Sequence, residues 1–320
     1  MIMKKFAVTA LCLLLSFSTA ALSACEGGGG SSSGEQDENL IVTELLSDGG
    51  YKKGFYLRGV DPVSDSQPIK TVKFGEEDVV WGIDQWWSKY NLKNGSESLT
   101  ETKYSLSDSS RTVEIDRENG VITLALNGAE EFDSANSEAP VKWPHLLLEQ
   151  AIPDSFISDA EKIEAKLNFT IVKSDDYRGG SGLQAQFAWF IYLMNRNTES
   201  SGFGEFTYFG LNLFDSTKLY APASYRQDTA TGAGSFIYAL GADEFMQKRV
   251  KVGTNCGFTF DILPEVKKCL TLAQSKGFML NTKFEDLAIT GMNIGWEIFD
   301  RWDESVAIFD ISIEKTTKGE

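Results

Sequence analysis

The chain has 320 residues, of which 42% are apolar and 24% charged, and its 46 acidic against 30 basic side chains give a formal charge of −16. This composition argues against a disordered tail and against an integral membrane protein, and an anionic excess without a Lys/Arg-dense block argues against nucleic acid as a partner. A single histidine and four cysteines leave too few ligands for a Cys/His zinc centre and too few bridges for a multi-disulfide scaffold.

In chain order, Lys4 and Lys5 precede a mostly apolar run from Phe6 to Ala21, too short for a membrane span. The run ends in Leu22-Ser23-Ala24-Cys25, which matches the bacterial lipobox, so residues 1–24 are expected to be a lipoprotein signal peptide and Cys25 the lipidated first residue. Residues 25–39 continue as a Gly/Ser-rich tether with nothing to bury, a flexible coil that holds a domain off a membrane surface. The rest, 40–316, reads as one β-rich domain without a second low-complexity break. The expectation is an exported, extracytoplasmic monomer that touches the membrane only through the Cys25 lipid.

The first distinctive segment is WGIDQWWSKY, residues 81–90, with Trp86 and Trp87 adjacent, so that on a strand one of them faces solvent. An exposed indole suits the C–H face of a pyranose, the Gln85 amide could bond its hydroxyls, and Tyr90 would line the same groove. Next, Thr112–Ile115 and Val121–Leu126 flank Arg117-Glu118-Asn119-Gly120, a hairpin by its turn chemistry. WPHLLLEQ, from Trp143, holds the only histidine; His145 beside an apolar run reads as a satisfied core or edge residue, and no nucleophile elbow supports a hydrolase triad. Ile163, Ala165, Leu167, Phe169 and Ile171 alternate with mostly polar residues, so one face of that strand is buried. Phe187–Leu193 and Phe206–Phe214 are apolar on both parities, which means strands covered on both faces or strands with one face lining a groove. A helix follows near residues 262–276, with Asp261 as cap, Pro264 in the first turn and Gly277 beyond its end. Ala307, Phe309, Ile311 and Ile313 form a last alternating strand. Many strands with one short late helix give an all-β fold, a jelly-roll β-sandwich. Of the cysteines left after export, Cys256 falls in a strand and Cys269 in the helix; a bridge and two buried thiols remain equally open.

Two carboxylates sit in aromatic strand sequence, Glu205 before FTYFGLNLFD and Glu297 in GMNIGWE. A carboxylate there is costly unless paired or functional, and glycosidic cleavage needs two facing carboxyls, about 5–5.5 Å apart in the retaining mode, with the proton donor's pKa raised.

The block from Asp261 through FEDLAITGMNIGWEIF to the last strand resembles the C-terminal part of glycoside hydrolase family twelve, β-glucanases and xyloglucanases of jelly-roll fold. The resemblance implies Glu297 as acid/base, and EFTYFG, similar to that family's E-x-M-x-W, implies Glu205 as nucleophile of a retaining endo-glycosidase. Thr207 and Phe209 depart from that motif, and Phe187–Met194 lacks the family's carboxylate on the strand before the nucleophile. QWW, WPHLLLEQ, FGLNLFD and GMNIGWE also resemble uncharacterised concanavalin-like secreted lipoproteins, which implies a fold and a setting without a reaction. The main expectation is therefore polysaccharide recognition in an aromatic-lined groove, with hydrolysis held open. Gln85, Trp86, Trp87, Tyr90, Trp189, Tyr208, Asn212, Asp215, Asn293 and Trp296 are the candidate ligand contacts. A non-catalytic structural or accessory lipoprotein is the other alternative. No cofactor is expected: Asp84, Asp215, Asp228 and Asp261 are scattered acids, and a structural calcium follows by analogy alone.

Overall fold

The structure is a computed structural model that describes residues 39–62, 64, 67–179, 182–228 and 234–319; the leader, the lipobox with Cys25 and the tether up to residue 38 lie outside them. The described chain folds into two sheets, as the alternating strand patterns require. One contains β15 (Asn255–Asp261), β10 (Ala160–Asp176), β17 (Trp302–Lys318), β8 (Val121–Asn127), β7 (Arg111–Asp116), β6 (Lys103–Ser107) and β5 (Ser96–Leu99) in that order, with β1 (Leu40–Glu44) paired to the end of β17. The other runs β13 (Ser224–Gln227), β14 (Phe236–Leu240), β12 (Phe206–Asp215), β11 (Ala185–Asn195), β16 (Leu287–Ile298), β9 (His145–Phe156), β4 (Trp81–Asp84), β2 (Gly54–Leu57), β3 (Lys70–Lys73). The described pairings are antiparallel except β12 with β14 and β2 with β4.

The core lies between the sheets. Ile163, Ala165, Leu167, Phe169 and Ile171 of β10 are all fully buried and meet the inward parity of β11 and β16, Phe187, Trp189, Ile294 and Trp296. Phe187 links the layers, its ring 5.4 Å from both Phe169 and Trp296. The expected hairpin is β7–β8, closed by Gly120 at φ +64 and by Asn119, whose N–H and Nδ2 donate to the Asp116 carboxylate. The helix α3 (Leu263–Ser275) forms where expected; the Leu263 N–H donates to Asp261 Oδ1 at 3.1 Å, and Val266, Cys269, Leu270 and Ala273 bury its stripe. Two one-turn α-helices, α1 (Gly128–Glu131) and α2 (Ala242–Phe245), and two 3-10 turns, Leu92–Asn94 and Phe284–Asp286, accompany it. This is an all-β jelly-roll sandwich, as the sequence implies.

Strands β11 and β12 follow the second of the two expected arrangements: their inward parity is core and their outward parity faces a depression. Cys256 and Cys269 are both free thiols.

Candidate functional site

The outward face of the nine-stranded sheet can be read row by row from its register. One row, across β9, β16, β11 and β12, is His145, Glu297, Gln186, Asp215. The next is Leu147, Gly295, Ala188, Asn212, with Asp84 of β4 beside Leu147. The third is Glu149, Asn293, Phe190, Gly210, with Gly82 beside Glu149 and Ala239 beside Gly210. The small middle row, Gly295 and Ala188, lies between a polar bank and a ring-bearing bank, and so forms the floor of a trough that crosses the strands.

Glycine shapes the ring bank. A Cβ on Gly210 would stand 2.7 Å from the Phe190 ring, so that ring lies flat across the neighbouring strand. Tyr56 lies the same way over Gly82, where a Cβ would come within 2.5 Å of the ring. At the β4 side Trp86, Trp87 and Trp143 gather around His145, at ring separations of 5.8, 5.1 and 5.6 Å, and Trp143 stacks on Phe299 at 4.6 Å. Trp87 has φ +53, a left-handed conformation disfavoured for a bulky residue. It is held there by its N–H, which donates to Val60 O at 2.6 Å. The depression these rings enclose with Phe190, Tyr208 and Asn293 holds about 750 Å³ counting its open mouth, within the range of ligand pockets. It continues, past the shared residues Phe190, Ile237 and Arg226, into a second depression lined by Gln186, Asn212, Asp215 and Ser224.

Glu297 is the charged centre of the first depression, its side chain 14% exposed. Trp143 Nε1 donates to Oε2 at 3.0 Å, and His145 Nε2 stands 3.5 Å from the same oxygen. His145 Nδ1 faces Trp143 O at 2.8 Å, a carbonyl that can only accept, so Nε2 attracts the carboxylate when it too bears a proton. Burial pushes the Glu297 carboxyl up, but His145, the Trp143 hydrogen bond and the nearby Arg226 charge outweigh it, so it lies below the usual carboxylate range. Glu297 is thus a fixed anion in an aromatic setting.

Behind the tryptophans lies a second acidic group. Asp84 is fully buried, with no N–H or O–H donor on either oxygen, and Arg58 Nε approaches it at 3.4 Å. Glu149 beside it accepts from Tyr56 OH at 2.8 Å and Arg58 Nε at 2.6 Å. Burial, then the charge of Glu149 and a hydrogen bond to it, push the Asp84 carboxyl well above its usual range, against the pull of Arg58. Burial thus biases Asp84 toward its neutral form.

Of the sequence candidates, Trp86, Trp87, Tyr208, Asn293 and Glu297 meet in the first depression, and Asn212 and Asp215 line the second. Asp215 Oδ1 is engaged by Thr217, whose N–H and Oγ1 lie at 2.8 and 2.7 Å. Five expectations need correction. Trp189 and Trp296 are fully buried, because they occupy the inward parity; Trp296 Nε1 donates to Leu124 O in the other sheet at 3.1 Å. Gln85 is equally buried, and its amide serves the backbone: Nε2 donates to Arg58 O and Oε1 accepts from Leu92 N. Tyr90 opens onto a separate depression with Asn91, Ser96 and Asp108.

Glu205 is the largest correction. The register aligns Phe206 with Met194 and Met194 with Ala288, so Glu205 sits at the opposite end of the sheet from Glu297. The separation is about 30 Å along the strands at ~3.3 Å per residue. Its carboxylate instead accepts from Thr282 Oγ1 at 2.7 Å and from Asn281 Nδ2 and N–H at 3.1 and 3.2 Å. A nucleophile and acid/base pair made of Glu205 and Glu297 is not available in this geometry. Sequence reasoning passed over His145, Trp143, Phe190 and Arg226. The alternation of WPHLLLEQ, which sets His145, Leu147 and Glu149 on one face, was the signal for the first of these.

No protein-family model matches the chain, and no curated protein does. Solved structures of similar fold are glycoside hydrolase family 12 enzymes. One is a family 12 xyloglucanase from Bacillus licheniformis, at 12% identity over 69% of this chain and 97% of that one, TM-score 0.40. Another is endoglucanase Cel12A from Rhodothermus marinus, at 9% identity over 70% and 97%, TM-score 0.38. A third is the xyloglucanase domain of NopAA from Sinorhizobium fredii in complex with cellobiose, at 11% identity over 69% and 96%, TM-score 0.37.

Proposed function

We propose that this protein is an exported, lipid-anchored saccharide-binding protein that holds a polysaccharide in the trough without cleaving it. The observation that carries the reading is the aromatic-banked trough with one fixed anion in it. Flat rings at Phe190 and the tryptophans offer stacking faces for pyranose C–H surfaces, Gln186 offers its amide to hydroxyls, and Asn293, whose Nδ2 donates to Tyr192 OH at 2.7 Å, offers its carbonyl oxygen. Oε2 of Glu297 is taken by Trp143 and His145, and among the described residues no donor reaches Oε1, which leaves an acceptor for sugar hydroxyls.

The same geometry argues against hydrolysis. A proton donor needs a raised pKa, and Glu297 is held in the opposite state. Its neighbours along the row are His145 and Gln186, neither a carboxyl, and the next, Asp215, is committed to a turn; the other carboxyl lining the depression, Asp228, lies outside this row, just past β13. The lipobox and the Gly/Ser tether supply the export and anchoring part of the reading. The test is a saccharide array probed with the purified full chain, with reducing-sugar release measured on every hit. Binding without release, weakened by Glu297→Gln, is the expected result; release that depends on Glu297 would overturn it.

A further inference from the structure

The trough has one open end and one closed end. On the β12–β13 side Asn212 Nδ2 donates to Pro222 O at 2.6 Å, and the rim of the second depression, at Pro222, Ala223 and Arg226, is exposed, so this is the end that meets solvent. The β4 side differs. Asp84 belongs to the outward parity yet has no exposed surface, and Glu149 of the adjoining row keeps only 12% of its side chain exposed. The outward face of β4 is therefore roofed. Trp86 accepts the His145 N–H at 3.0 Å and so occupies the ladder position after His145, and Trp87 and Trp143 stand 5.8 Å apart beside it. Among the described residues, the lining of the first depression reaches these rings and includes neither Asp84 nor Glu149.

Resting on the saccharide-binding reading, we propose that the site takes the end of a glycan chain: the terminal residue sits against the Trp86–Trp87–Trp143 wall, and the chain leaves over Asn212 and Ser224. A terminal residue carries one more free hydroxyl than an internal one, and the open oxygen of Glu297 lies in the closed part of the trough, where it can accept from that hydroxyl. The wall excludes an internal residue because its second linkage would need to pass through the rings. The left-handed conformation at Trp87 is a backbone cost at this stop, the kind of strain that persists where the surroundings over-determine it.

The experiment uses the full chain and neutral oligosaccharides of the hit glycan in three forms: unmodified, with a bulky fluorophore on the reducing end, and with a bulky acetal on the non-reducing end. The expected result is that one of the two blocked forms binds at least about tenfold more weakly than the unmodified one, which also identifies the bound end. Trp87→Gly, whose backbone suits a positive φ, is expected to shrink that gap by opening the wall. Equal affinity for all three forms, or a gap unchanged in Trp87→Gly, overturns chain-end recognition while leaving saccharide binding in place. Failure of every unmodified oligosaccharide and of the parent polymer to bind overturns the functional reading itself, and the chain-end proposal with it.

Discussion

Replacing Glu205 with alanine separates a structural clamp from a site residue. Its carboxylate ties Asn281 and Thr282, in the loop before β16, to the start of β12, and Thr282 also accepts from the buried Asn195 amide at 3.0 Å. Hydrogen bonds to a charged group contribute about 1.5–3 kcal/mol each when buried. Glu205 is half-buried, so solvent replaces part of each, and a loss of about 2 kcal/mol for all three is the consistent figure. For a domain of this size that lowers the melting temperature by about 3–4 °C. Calorimetry and urea unfolding measure the loss, and titration with the best array ligand measures binding, which is expected to be unchanged. Glu205→Gln, which keeps the acceptor oxygen, should recover part of the stability. An alanine variant that melts like the parent but no longer binds saccharide would refute the assignment of Glu205 to the loop.

The other outcomes concern titration and redox state. Glu297 has a lowered folded-state pKa, so its stabilising effect is present above the unfolded value of 4.5 and is lost as pH falls through the folded value. Glu297→Gln should thus be less stable than the parent at pH 7, with the gap closing in acid, and should bind saccharide about tenfold or more weakly; a pH-independent gap would contradict this. Asp84 has a raised folded-state pKa, so the folded chain keeps a proton that the unfolded chain releases above 3.8, and stability falls as pH rises from there toward the folded value. Asp84→Asn should flatten that slope and be at least as stable as the parent at pH 8 in urea unfolding; a variant less stable at every pH would count against the raised Asp84 carboxyl. Burial pushes the Cys269 thiol up to about 12, and Cys256 is half-buried and also raised. Alkylation of the folded protein should therefore reach Cys256 slowly and Cys269 only after unfolding, and a disulfide-linked peptide in mass spectrometry would contradict the free thiols.

Much of the sandwich was legible because strand periodicity is local. The alternation in β10 and β17, the turn at Gly120 and the cap and proline of α3 each act within a few residues. The trough was legible only in part. Trp86, Trp87, Asn293 and Glu297 could be named, since aromatics and acids in strands are conspicuous. Which parity faces outward is set by sheet packing, though, and strict alternation already separates Trp296 from Glu297, so the two could not share a wall. The placement of Glu205 depends on register across three strands, which no local pattern carries. The role of His145 depends on Trp143 and Glu297, the latter over 150 residues away in the chain, brought together only by the β9–β16 pairing.

Because the trough runs across the strands, neighbouring contact residues belong to different strands and are held at the interstrand repeat of about 4.8 Å. His145, Glu297, Gln186 and Asp215 therefore form a ruler whose graduations are backbone hydrogen bonds, indifferent to the side chains mounted on them. Exchanging Gln186 alters the chemistry at one mark without moving the others, whereas His145 and Glu297, which hold one another, have to be redesigned together on that scale.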